Sequence, residues 1–349
     1  MTTAKFDRWM ESVSAKIKNT PLCMLPVPGS HDAGAYGTIN KRSKAQGMSI
    51  TQQLTAGFRY FDFRVMVNNG VYYAVHGGDT TDNNYTAVKG ARSGLKNKRF
   101  ILDDIANFLA TRPGELVILN FSHFSAHGSQ DFNADDKKNF GKLLKDHFGT
   151  KLVPRFKKPT VTYGACIAAG QQVVAIVEDD NDWYEYSGVT SAGLRERRQC
   201  GFWSAKDCFK DRYSDYYVDL GGGPAVDNLQ GKIDKTMVDQ ERYLLQPGPG
   251  VKDHRDLKKF WVTQAVLNYA AVVYKGSSQN RHGAEAMNKK FTAAYKNYWS
   301  KGKLSQLKGY VVGTVQAPNI LLFDYAGYYD GFPEACVQMA RAKKSPTHP

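Results

Sequence analysis

The stretch LPVPGSHDAG, Leu25–Gly34, sets His31 and Asp32 side by side directly after an apolar run. Loops favour Pro, Gly and Asp, so a solvated turn histidine is one reading of it. Other apolar runs end in a similar way. In RYFDFRV the period-two alternation of a strand puts Tyr60, Asp62 and Arg64 on one face and Phe61, Phe63 and Val65 on the other. A carboxylate and a guanidinium on such a face are costly unless they pair with each other or line a polar pocket. VYYAVHGG ends in His76, ELVILNFSHF near Asn120 and Ser122, VVAIVEDD in Glu178 and Asp179, and NILLFDYAG in Asp324, while FWVTQAV carries Gln264. Together, two imidazoles, neighbouring carboxylates and one arginine could split a phosphodiester. One imidazole takes a proton from the attacking hydroxyl, the other protonates the leaving oxygen, and the guanidinium stabilises charge on phosphorus-bound oxygens. The carboxylates would fix the imidazole tautomers and favour the imidazolium.

These residues need strands to carry them. Strands are expected at 22–27, 59–66, 71–76, 115–121, 172–178, 201–204, 260–267 and 319–325. VILNF and VVAIV are nearly continuous in apolar residues, as strands covered on both faces are. Helical spacing recurs in RFILDDIANFLATR, through Ile101, Leu102, Ile105, Phe108 and Leu109. It recurs again in DDKKNFGKLLKDHFG, through Phe140, Leu143, Leu144 and Phe148, and over 284–299. The alternation is that of βα units, and the polar residues gather at C-terminal strand ends, where such folds assemble their sites. SHFSAH spaces His123 and His127 four apart, either as loop residues or as a metal-ligand pair.

The 349 residues, 42% apolar and 12% aromatic, supply an ample core and are read as one domain, 1–349. No apolar run reaches the ~18 residues of a membrane span. MTTAKFDRWMESV lacks the apolar segment of a signal peptide, so a cytoplasmic or peripheral-membrane location is expected, with unconventional export open. Five cysteines, without CxxC spacing, fit free thiols, although Cys200 and Cys208 could pair. A formal charge of +14 favours anionic partners. Lys151, Arg155, Lys157 and Lys158 form one basic cluster, and Lys289, Lys290, Lys296, Lys301, Lys303 and Lys308 a sparser one. No nucleic-acid motif accompanies them, which leaves a solvated face or a membrane-facing one. The aromatic stretches 181–188 and 212–223 suit either a bilayer interface or ordinary packing.

LPVPGSHDAG, GFRYFDFRV and VHGG, in that order and spacing, resemble the X-domain of phosphatidylinositol-specific phospholipase C, and NILLFDYAG resembles the matching strand of its bacterial and glycosylphosphatidylinositol-cleaving members. The resemblance is best over 9–125 and 258–330. It implies an α/β fold, an irregular (β/α)8 TIM-like barrel. It also implies cleavage of phosphatidylinositol, or its glycosylated form, to diacylglycerol and inositol 1,2-cyclic phosphate. His31 would be the general base, oriented by Asp324, and His76 the general acid, supported by Asp32. Arg64 would contact the phosphoryl oxygen, held by Asp62. The head-group contacts do not carry over from the family, since Glu178 stands where several bacterial members have a basic residue, and Asp62, Ser122, Glu178 and Gln264 are expected to bind substrate. Calcium-dependent members carry carboxylates where this chain has Arg64 and Ser122. Asp32 with Asp62 alone is a poor set for a cation wanting about six or more oxygens, so no metal and no cofactor is expected, with calcium disfavoured. The expected partners are a phosphatidylinositol-type lipid and an anionic membrane surface, not nucleic acid, with the protein a monomer. Two alternatives stand beside this reading: a non-catalytic inositol-lipid-binding module, and a metal-dependent glycerophosphodiester or sphingomyelin-type phosphodiesterase on a similar barrel.

Overall fold

The structure, a computed structural model, describes residues 6–36, 44–76, 85–90, 100–126, 130–154, 159–177, 202–204, 260, 262–265, 288–289, 292–293, 320–324 and 331–342. Its frame is a ten-stranded mixed sheet. Seven strands run parallel in the order β8 (Phe202–Ser204), β7 (Val173–Val177), β5 (Val117–Ala126), β2 (Tyr60–Asn68), β1 (Val27–Ser30), β10 (Ile320–Phe323) and β9 (Val262–Ala265). β3 (Val71–Val75) returns antiparallel on β2, β4 (Tyr85–Gly90) pairs with β3, and β6 (Gln130–Asp131) with β5. This is the α/β frame expected from the sequence. A pairing of β8 with β9, which would close it into a barrel, is not among the described contacts.

Alternation along the strands sorts residues into two cores. Phe61, Phe63 and Val65 of β2, Val117, Leu119 and Phe121 of β5, and Val173, Ala175 and Val177 of β7 share one cluster with the helices. The helices in that cluster are α3 (Ile50–Thr55), α4 (Ile101–Ala110) and α5 (Ala134–Phe148). As the spacing implies, α4 buries Ile101, Leu102, Ile105, Phe108 and Leu109, and α5 buries Phe140, Leu144 and Phe148. Capping boxes start α3 (Ser49 with Gln52) and α5 (Asn133 with Asp136), satisfying orphan amides at the N-terminus of each helix.

On the opposite face, Tyr60, Ile118, Val174, Ile176, Ile320 and Leu322 pack against the N-terminal segment. That segment carries α1 (Trp9–Ser12) and α2 (Ser14–Ile17), and α6 (Tyr163–Ala168) packs there too. Below this cluster the wholly buried pair Arg59–Glu115, 2.8 Å, joins the residues just ahead of β2 and β5. The same face turns polar toward the C-terminal strand ends: Asp62 follows Tyr60, and Asn120 follows Ile118.

Two expected boundaries are corrected. Leu22–Met24, expected to open the first strand, forms a 3-10 turn, and the strand is Val27–Ser30. β5 runs on to Ala126, so His123 lies in a strand rather than a loop. His127, Cys200, Cys208, Arg155, Lys157, Lys158, the 181–188 and 212–223 stretches, and most of 284–299 lie outside the described residues. Cys23, Cys166 and Cys336 are buried.

Candidate active site

Register brings the polar residues into one layer. β1 pairs with β10 and β2 so that Ser30 sits opposite both Phe323 and Phe61. The next position on each strand is therefore His31, Asp324 and Asp62, and Asp62 in turn faces Asn120 on β5. One step further, Arg64 lies opposite Ser122 on one side and Val75 on the other, the residue before His76.

His31 is buried and its Nδ1 lies 2.8 Å from Asp324 Oδ1. A carboxylate only accepts, so Nδ1 donates and Nε2 is left for chemistry. Burial alone would lower the imidazole pKa, but the charges of Asp32, Asp324 and Asp62 outweigh it and raise it to about 9. Asp32 is the hub. Its Oδ1 is 3.0 Å from Arg64 Nε, and its Oδ2 is 3.4 Å from His76 Nδ1 and 3.6 Å from His31 Nε2. Burial would push the Asp32 carboxyl up, yet His31, Arg64 and His76, with a contribution from His123, hold it below its ordinary value. Asp62 accepts from Asn120 Nδ2 at 3.0 Å.

Asp32 adopts a left-handed backbone, φ 40°, a conformation that Asp tolerates better than most residues. Its neighbour Ala33 donates from its backbone to Asp62 O at 2.8 Å, tying the turn to β2. Gly34 then abuts β3: a Cβ there would lie 2.2 Å from Ala74 Cβ. No side chain fits, so the turn carrying His31 and the strand leading to His76 are in direct contact.

The structure thus gathers His31, Asp32, Asp62, Arg64, His76, Asn120, Ser122 and Asp324 at one end of the sheet. Glu178 lies outside the described residues, and Gln264 is described only by its backbone position opposite Leu322. His123 had no role in the sequence reading beyond a loop residue or a ligand paired with His127. It follows Ser122, its Nδ1 lies 3.0 Å from the Ser122 hydroxyl, and its φ of 53° coincides with the register shift between β2 and β5. The signal that could have found it was its position one residue past Ser122 at a C-terminal strand end.

The cofactor expectation is corrected here. Asp32 and Asp62 do not stand alone: His31 joins them, and one ligand atom from each of the three lies within 4.8 Å of the others, all buried. Both Asp32 oxygens lack an aligned hydrogen bond, and Asp324 orients the His31 ring through the opposite nitrogen. One imidazole nitrogen and two carboxylates fit a divalent cation whose other positions go to water or substrate oxygen. Such an ion must displace the His31 proton and shares Asp32 with Arg64.

No family model matches the chain. PI-PLC X domain-containing protein 3 of Bos taurus is 29% identical over 178 residues, 43% of this chain and 50% of that protein. Human PI-PLC X domain-containing protein 2 is 27% identical over 184 residues, 44% of this chain and 54% of that protein. The matched region spans about half the length of these curated relatives. Among solved structures, a phosphatidylinositol-specific phospholipase C of Staphylococcus aureus superposes with a TM-score of 0.58 at 16% identity, covering 94% of this chain and 97% of that one. The enzyme of that name from Listeria monocytogenes gives 0.56 at 19% identity, covering 95% and 98%. These two likenesses carry the fold.

Proposed function

Because the chain belongs to the PI-PLC X-domain family, we propose that its pocket cleaves a phosphoric diester of the phosphatidylinositol class at an anionic membrane surface. The observation carrying this reading is the set of contacts through Asp32, which is 3.6 Å from one imidazole, 3.4 Å from the other and 3.0 Å from Arg64. In this reading His31 Nε2, once it has shed the proton that the neighbouring carboxylates hold on it to about pH 9, takes the proton of a hydroxyl adjacent to the phosphate, with Asp324 holding the ring. The hydroxyl oxygen bonds to phosphorus, the bond to the glycerol oxygen breaks, and His76 protonates that oxygen as diacylglycerol leaves. A cyclic phosphodiester remains. Arg64 meets charge on the phosphoryl oxygens, and Asp62, Ser122, Glu178 and Gln264 contact the headgroup.

The His31–Asp32–Asp62 cluster favours a second reading, a metal-dependent phosphodiesterase of the glycerophosphodiester or sphingomyelin type. For how the phosphoryl charge is met, this reading has the stronger support. A divalent cation bound there would polarise a phosphoryl oxygen and acidify a water molecule. His31 Nε2 would then be a ligand rather than a base, still oriented by Asp324, while His76 would remain available as the acid.

The test is release of diacylglycerol from phosphatidylinositol vesicles, and of headgroup from sphingomyelin and glycerophosphodiesters. Each is followed in chelator and after magnesium or calcium is returned. Inositol-lipid cleavage supports the first reading. Loss of turnover in chelator, restored by the cation and directed at the other diesters, supports the second. Lipid binding with no cleavage under any condition contradicts both and favours a binding module.

A further inference from the structure

The turn that carries His31 and Asp32 is gripped by two buried amides that the chemistry above does not use. Gln46 is wholly buried, and its Nε2 donates to the carbonyl of His31 at 2.7 Å and to that of Phe323 at 2.9 Å. Gln53, on α3 and equally buried, donates from Nε2 to the carbonyl of Ala33 at 3.0 Å and to that of Met48 at 2.8 Å. The carbonyls immediately before and after Asp32 are therefore each tied to a glutamine. Between them Asp32 holds its left-handed φ of 40°. The second bond from Gln46 reaches the residue before Asp324, so one nitrogen spans the ends of β1 and β10. The capping box of Ser49 and Gln52 fixes the first turn of α3, from which Gln53 reaches Ala33.

A neutral amide suits this task. Its nitrogen offers two hydrogens and no negative charge, so it can bridge two carbonyls without repelling Asp32 or Asp324. A glutamate would bring a carboxylate against carbonyl oxygens, and a methionine would remove the amide's bonds to both.

We propose that Gln46 and Gln53 are positioning residues. They hold the His31–Asp32–Ala33 turn in its left-handed form and keep Asp324 opposite His31, an inference that rests on the phosphodiesterase reading above for its catalytic consequence. The molecule contains its own control. Gln172 is a buried amide of the same kind at the far end of the strands, donating from Nε2 to the carbonyls of Arg112 at 2.8 Å and Glu115 at 2.9 Å.

The experiment compares Gln46→Met, Gln53→Met and Gln172→Met in the full chain. It measures melting temperature, kcat and KM on phosphatidylinositol vesicles, and the crystal structure of each variant. All three are expected to melt lower. Gln46→Met and Gln53→Met are expected to lose about 10–100-fold in kcat, since ångström-scale misplacement of reacting groups costs that much, with KM little changed. Gln172→Met is expected to keep kcat within about two-fold, because its bonds lie away from the reacting groups. In the first two structures residue 32 leaves the left-handed region; in the third it stays.

If both variants melt lower like Gln172→Met yet keep their kcat, or if φ at residue 32 is unchanged in both, the proposal is overturned. Should the wild-type chain cleave no inositol lipid, the functional reading fails on its own, and φ at residue 32 still decides the clamp. Gln46→Asn and Gln53→Asn, which keep the amide but shorten it, replace any methionine variant that does not fold and are judged by the same outcomes.

Discussion

Asp32 touches both imidazoles and the guanidinium, so the pocket's charges meet on a single buried carboxylate. Either histidine changed to Gln is expected to cost about 10²–10⁴-fold in turnover, as loss of a general acid or base does, while the circular-dichroism melt stays cooperative. Asp32→Asn removes the shared counter-charge and is expected to cost as much, although the residue itself moves no proton. The raised pKa of His31 also has a consequence for stability. Its proton is held to about 9 when folded and only to 6.5 when unfolded. The contribution is therefore complete below 6.5 and is lost as pH rises through about 9. Urea unfolding is expected to show stability declining across that window, and His31→Gln to flatten the decline. A slope unchanged in that variant would place the proton elsewhere.

At the scale of elements, the contact of Gly34 with Ala74 sets the spacing of the two histidines. Gly34→Ala forces a Cβ to 2.2 Å from that of Ala74 and is expected to cost about 1–3 kcal/mol in urea unfolding, together with turnover. Adding Ala74→Gly should recover part of both, because it removes the clashing atom. At the other strand ends, Glu115→Gln leaves the Arg59 charge buried without its partner and is expected to cost about 3–5 kcal/mol, read in the same way. Much of this arrangement was legible in sequence because strand alternation has a period of two. Tyr60, Asp62 and Arg64 fall on one face from spacing alone, and the α4 and α5 core positions follow from helical spacing. The first strand was hidden. Pro28 and Gly29 are poor strand residues, and the apolar run Leu22–Leu25 looks like a better strand than VPGS. Pro28 is tolerated where it uses only its carbonyl, which accepts from the Arg59 amide just ahead of β2. The cation-capable cluster was also illegible, since His31 and Asp62 meet only through the β1–β2 register, which no local pattern encodes. Gln46 and Gln53 gave no signal because a buried amide bonding to carbonyls has no motif.

For the molecule as a whole, a formal charge of +14 suits the anionic diester proposed as its substrate. Among the described residues no helix is long and apolar enough to cross a membrane. Binding to vesicles containing anionic lipid is expected to weaken steeply as salt shortens the screening length from ~10 Å at 0.1 M toward ~3 Å at 1 M. Sedimentation with vesicles checks this, and binding indifferent to salt would assign the contact to apolar insertion instead. The most direct measurement of the whole account is phosphorus NMR of inositol-lipid vesicles during incubation with the protein, its His31→Gln variant run in parallel. The expected result is a cyclic phosphodiester resonance that grows for the wild type and is absent for the variant. No new resonance for the wild type, or the same one growing equally in both, would contradict the assignment of this pocket to phosphodiester cleavage.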